Sequence, residues 1–169
     1  MQYDIYQVKD RDDEAMEAGH QMFRGSKHFK PENFGFFQKV CSVDGRYCGL
    51  VNGDMDYTIK SKDEVFAILN QQYLDEDTGE DAVFENHVSG FEMKTITRKD
   101  GEKVTFRNMH SLSVGDIIAE VPQVGYEVMD PSDVVKHTTY HMVDNFGFAD
   151  ITDQLLDIEL AQNKIRESV

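Results

Sequence analysis

Cysteine is scarce in this sequence, and so is positive charge. Cys41 and Cys48 are the only thiols in 169 residues, too few for a disulfide framework and wrongly spaced for a paired-thiolate zinc site. Lys and Arg number 17 against 32 Asp and Glu, for a formal net charge of −15, and the deficit runs through the whole length rather than sitting in a tail. Contact with nucleic-acid phosphate needs clustered cations and counterion release, so direct nucleic-acid binding is disfavoured as the main activity. No apolar run reaches membrane-spanning length, and the N-terminus has no basic-then-apolar secretion pattern. A cytoplasmic protein without a membrane partner is expected.

Signatures of chemistry are missing too. There is no Gly-rich phosphate loop and no dinucleotide fingerprint. His137 and His141 are four apart, but Thr138-Thr139-Tyr140 between them is β-prone, and in a strand that spacing sets the rings about 13 Å apart. No adjacent Glu completes a zincin pattern. His110 beside Ser111, with Ser113 two further, lacks both the nucleophile-elbow glycines and an orienting third group. The acidic run Leu74 to Asp81 has neither the Asp spacing nor the closing Glu of a calcium loop. We therefore expect no catalytic residues, no metal and no cofactor.

What is present reads as one α+β domain with a mostly antiparallel sheet, about three helices and a small barrel-like C-terminal half. Tyr3-Asp4-Ile5-Tyr6-Gln7-Val8 alternates like a strand with one buried face. Asp12 or Asp13 can cap a helix running to about Phe23, with Ala15, Met16, Gly19, Met22 and Phe23 as its apolar stripe. Gly25, Lys30-Pro31 and Gly35 then break the chain into a loop. Asp44-Gly45 suits a hairpin turn between Phe36–Val43 and Arg46–Val51, which puts Cys41 across from Cys48. In a reducing compartment two buried thiols are expected there.

Ser61 and Glu64 have capping-box spacing and open a helix ending near Gln72. Asp100-Gly101 predicts a second hairpin, with Thr97 across from Val104 and Thr95 across from Phe106. Ile117 to Val121 is a strand stopped by Pro122, and His137 to Val143 and Phe148 to Ile151 follow as β-prone runs. A last helix starts at Thr152 or Asp153. Leu155, Leu156, Ile158, Leu160 and Ile165 cover so much of it that it must dock either on the sheet or on a second copy, and the second alternative would give a homodimer through the C-terminal helix. Phe34, Phe36, Phe37, Phe146 and Phe148 lack interleaved cations and read as core rather than as base-stacking groups.

Two corners organise the chain. In Ser111-Leu112-Ser113-Val114-Gly115-Asp116, Gly115 can take a left-handed φ while Asp116 accepts from nearby backbone N–H groups. Asp144-Asn145-Phe146-Gly147-Phe148 answers it about thirty residues later, as a second corner of the same β-rich unit.

On these residues the chain resembles the YodL-like family, small proteins and domains of Gram-positive bacteria and of their phages and mobile elements. The resemblance runs nearly end to end. It rests on Tyr3 to Val8, Asp63 to Asn70, His110 to Ile118 and Tyr140 to Phe148, with the Ser-Leu-Ser-Val-Gly-Asp core the most specific. Two segments depart from it, an inserted acidic loop and hairpin at about 73–107 and a long stretch from Pro122 to Lys136. The resemblance implies a bacterial host cytoplasm and phage or mobile-element encoding, and it assigns no catalytic residues.

The functional expectation joins that context to the charge. It is a non-enzymatic acidic protein that inhibits a host nucleic-acid-binding defence effector, of the anti-CRISPR or anti-restriction type, by protein–protein contact. The partner would be a host protein with a basic nucleic-acid-binding surface, met by Asp12, Asp13, Glu14, Asp75, Glu76, Asp77, Glu80 and Asp81 as a DNA mimic. Solvated faces give the same acidic pattern. Two alternatives stay open: a regulatory or structural interaction module without mimicry, and a small enzyme or nucleotide-binding domain using the Ser111-to-Asp116 corner.

Overall fold

In the computed structural model the described residues are 1–8, 16, 17, 19, 22–45, 59, 61–70, 84, 87–122 and 137–155. Among the described residues the strands are β1 (Gln2–Val8), β2 (Phe37–Asp44), β3 (Val88–Ser89), β4 (Met93–Thr97), β5 (Lys103–Arg107), β6 (Ile117–Val121), β7 (Thr139–Val143) and β8 (Phe148–Asp150), the helix α1 spans Lys62–Leu69, and further helical residues lie at 16, 17, 19, 22 and 152–155. Six strands form a sheet in the order β3-β2-β1-β6-β7-β8, and β4 and β5 form a separate two-stranded sheet. The pairs β2–β3, β4–β5, β6–β7 and β7–β8 are antiparallel. The architecture is therefore mixed helix and strand with a mostly antiparallel sheet and about three helices.

The barrel-like C-terminal half expected from the sequence is not closed, because β8 is the last strand of an open sheet. Closing a barrel needs tilt and stagger carried around every strand, and β8 offers only three residues for it. The chain divides into two compact units, residues 1–4 with 40–112, and residues 5–39 with 113–169.

In the first unit α1 begins as the sequence predicts. Ser61 is extended, with φ −147°, and its Oγ accepts from the Glu64 N–H at 3.2 Å. Val65, Ile68 and Leu69 are buried, which is the i, i+3, i+4 stripe of a helix packed on one face. Helix α1 stops at Leu69 rather than near Gln72, and the Asn70 side chain donates to the Leu112 carbonyl at 3.2 Å.

Asp44-Gly45 behaves otherwise than expected. Gly45 is absent from the positive-φ glycines, whereas the favoured two-residue hairpin turn needs positive φ at both central residues. A Cβ on Gly45 would lie 2.5 Å from the Met1 carbonyl oxygen, and the Gly45 N–H donates to that oxygen at 2.9 Å. This glycine thus serves a close backbone approach and not a turn. The antiparallel neighbour of β2 at Ser42 and Val43 is β3. Arg46 to Val51, including Cys48, lies outside the described residues.

The second hairpin forms, with its register moved by one. Thr97 pairs with Lys103, Ile96 with Val104 and Thr95 with Thr105. The Gly101 N–H donates to the Arg98 carbonyl, the Arg98 N–H to the Glu102 carbonyl, and Gly101 has φ +85°. That is a type I turn followed by a left-handed glycine, a three-residue loop where Asp-Gly had implied a two-residue one. One added loop residue shifts every cross-strand pair.

The second unit has a core of Met22, Phe29, Phe37, Ile117, Met142, Ile151 and Leu155, with Tyr6, Val8, Phe34, Phe36 and Tyr140 packed against it. Phe34 makes an edge contact with Tyr140 at 6.0 Å and stacks on Phe37 at 6.1 Å. Phe34, Phe36 and Phe37 are core aromatics, as the sparse cations implied, whereas Phe146 is fully exposed.

Residues 16, 17, 19 and 22 are helical, but the expected apolar stripe is only partly buried. Met22 is enclosed while Met16 and Phe23 face solvent. The predicted loop after Gly25 contains two 3-10 turns, Ser26–His28 and Pro31–Phe36, the latter opened by Pro31. Strand β7 starts at Thr139, and His137 is helical rather than extended. Residues 152–155 begin the last helix, and Leu155 packs in this unit's own core. Leu156, Ile158, Leu160 and Ile165 lie outside the described residues.

Candidate functional site

The two corners meet within the second unit. The Gly115 N–H donates to the Val143 carbonyl at 2.9 Å, and the Val143 N–H returns to the Asp116 carbonyl at 2.8 Å. Gly115 has φ +95°, and a Cβ there would come within 3.2 Å of the Met22 backbone, so both conformation and space select glycine. Asp116 is 4% exposed. One oxygen, Oδ2, accepts from the Ser113 N–H at 2.9 Å and from the Gln7 side-chain amide at 3.2 Å. Burying a carboxylate is costly unless such donors meet it, and here they also hold the turn shut.

The second corner follows the same logic. Asp144 accepts from the Ser26 hydroxyl, from the Ser26 N–H at 3.3 Å and from the Asn145 N–H at 2.8 Å. Its carboxyl is held below the usual carboxylate range, mainly by the Ser26 hydroxyl, then by the Asn145 N–H. The Asp144 N–H closes the turn on the Gly147 carbonyl at 2.9 Å, and Gly147 has φ +82°. Phe148 opens β8 and is half-buried.

Ser113 and Asp116 are thus joined within the first corner and Asp144 and Gly147 within the second, while Gly115 bonds across to Val143. Ser111 belongs to the first unit and is exposed. The expected contact acids Asp12, Asp13, Glu14, Asp75, Glu76, Asp77, Glu80 and Asp81 lie outside the described residues. Among the described residues there is no group of three or more His, Cys, Asp or Glu placed to hold a metal, and no helix long and apolar enough to cross a membrane.

The first unit contains a cleft of about 450 Å3 beside β5 that the sequence did not reveal. Leu69, Phe84, Met93, Phe106 and Met109 supply its apolar lining. Thr105, Arg107, His110 and Ser111 supply its polar atoms. The Arg107 guanidinium lies 3.6 Å from the centroid of the Phe84 ring and 5.8 Å from that of Phe91, and the two rings are 5.5 Å apart. Phe84 is 2% exposed, so one face of the guanidinium rests on a buried ring. Nδ1 of His110 lies 2.8 Å from the Ser111 carbonyl oxygen, to which it can donate.

The sequence carries one trace of this region: five of its 17 Lys and Arg fall between residues 94 and 107, against two acids, and one of the five, Arg107, lines the cleft. Searches of family models, curated proteins and solved structures returned no match.

Proposed function

We propose that this chain is a YodL-like, phage- or mobile-element-encoded protein of the bacterial cytoplasm that inhibits a host nucleic-acid-binding defence effector without catalysis, by protein–protein contact. The observation that carries the reading is the net charge of −15 on 169 residues. A surface of that sign attracts basic proteins and imitates the phosphates they normally hold. Supporting it, Asp116, the carboxylate of the first corner, is buried and engaged by Ser113 and Gln7.

The test pairs the purified chain with purified CRISPR and restriction nucleases of a Gram-positive host, and reads both binding and DNA cleavage. Inhibition that falls steeply as salt rises, and that disappears when Asp75, Glu76, Asp77, Glu80 and Asp81 become amides, is the expected result. Inhibition unchanged in the amide variant discards the mimicry.

The β4–β5 hairpin favours a second reading, an interaction module without mimicry. Met93, Ile96 and Phe106 are 56%, 43% and 40% exposed there, and a two-stranded sheet is marginal on its own in water. An Ile96→Thr, Phe106→Ser double variant that loses partner binding while the amide variant keeps it would favour this reading over the first.

A further inference from the structure

We propose that the cleft beside β5 binds a small anion in which a phosphate or carboxylate is joined to a flat apolar ring. This goes beyond the inhibitory reading and stands independently of it. Charge gives the first argument. In a chain of net charge −15, the cleft is lined by Arg107 and His110 and by no carboxylate among the described residues. An anion approaching this protein is repelled by most of its surface, so a local reversal of sign selects where it can settle.

The guanidinium supplies the second. At 3.6 Å from the Phe84 centroid, a planar group lies on the ring, and its N–H edge stays in its own plane. That edge is a fork matched to two oxygens of a carboxylate or phosphate. Stacking on a buried ring fixes the fork before any ligand arrives, which removes part of the ordering cost of binding. Among the described residues no carboxylate lies within salt-bridge distance of Arg107.

The remaining lining explains the ring. Met93 and Phe106 expose apolar surface at the cleft, and Met109 adds a flexible thioether wall that adapts to a flat partner. The hydroxyls of Thr105 and Ser111 are at hand for polar atoms on the ligand. A cleft of about 450 Å3 falls within the range of small-molecule sites, about 300 to 1,000 Å3.

Isothermal titration of the full chain tests this with adenosine 5′-monophosphate and 4-hydroxybenzoate as ring anions, and adenosine and inorganic phosphate as controls. At least one ring anion should bind saturably with one site per chain, and each control at least about tenfold more weakly. Which ring anion binds tighter distinguishes phosphate from carboxylate. Arg107→Gln should weaken binding about tenfold or more. His110→Glu, which places a carboxylate in the cleft from an exposed position, should do the same in a chain whose circular dichroism and unfolding midpoint match the wild type. The proposal is overturned if neither ring anion saturates by about 5 mM, if adenosine binds as well as its monophosphate, or if His110→Glu folds normally and binds like the wild type.

Discussion

Gln7 and Asp116 stand 109 positions apart, and the side-chain amide of the first donates to the carboxylate of the second at 3.2 Å. Because that carboxylate also takes the Ser113 N–H, removing it leaves two donors of the corner without their acceptor. Asp116→Ala should cost about 2–3 kcal/mol. Asp116→Asn keeps one acceptor oxygen and should cost less. Urea unfolding at neutral pH measures both, and an Ala variant as stable as the wild type would remove the corner from the fold's supports.

Asp144 should leave a mark in acid. Its folded carboxyl titrates below the ordinary range because the Ser26 hydroxyl and the Asn145 N–H stabilise the charged form. A group with a depressed folded pKa contributes stability above its unfolded pKa, about 3.9, and loses it as pH falls through the folded value. Asp144→Asn should therefore melt below the wild type at pH 7, with the gap closing as pH falls below about 4. Ser26→Ala should narrow the gap in the same direction. Thermal melts across that range decide it, and a gap that widens in acid contradicts the assignment.

Cys41 should be inert. Burial, and secondarily the Asp4 carboxylate, push its thiol from 9.0 up to about 12, and the thiolate is the reactive species. In a Cys48→Ser background, a disulfide reagent at pH 8 should label the native chain at least about 100-fold more slowly than the urea-unfolded chain. The raised folded pKa adds a linkage effect of the opposite sign to that of Asp144. It is present in full below pH 9 and is lost between about 9 and 12. Cys41→Ala should flatten the alkaline fall in stability.

Three glycines should rank in order. Gly101→Ala meets open space and incurs only the cost of φ +85°, about 1 kcal/mol. Gly115→Ala has the same kind of strain at φ +95° and also presses on Met22, so about 2–3 kcal/mol is expected. Gly45→Ala drives a Cβ to 2.5 Å from a backbone oxygen and should be the worst of the three. Unfolding midpoints give the order, and Gly45→Ala milder than Gly101→Ala would refute the close approach.

The sequence was legible wherever structure is decided within a few residues. The Ser61–Glu64 cap, the stop at Pro122 and the Gly115–Asp116 corner needed only local chemistry, and all three are found. Asp-Gly was ambiguous, because the same dipeptide ends a three-residue loop at 100–101 and makes a close approach at 44–45. Only the approach of Met1 and Ile59 decides the latter. The cleft was hidden for a similar reason. Its lining comes from Leu69, Phe84, Met93 and residues 105–111, groups that no periodicity connects. Gln7, a polar residue in a strand, gave no hint of Asp116.

Strand β1 has β2 on one side and β6 on the other, so β1 is synthesised before either neighbour and waits longest for β6. At about 5–20 residues per second, the 109 positions between Gln7 and Asp116 take on the order of ten seconds to appear. Through that interval the nascent chain carries an open backbone edge that any neighbouring strand can template on. Premature termination before Ile117 makes the vulnerability permanent, and slow codons upstream of that point lengthen it.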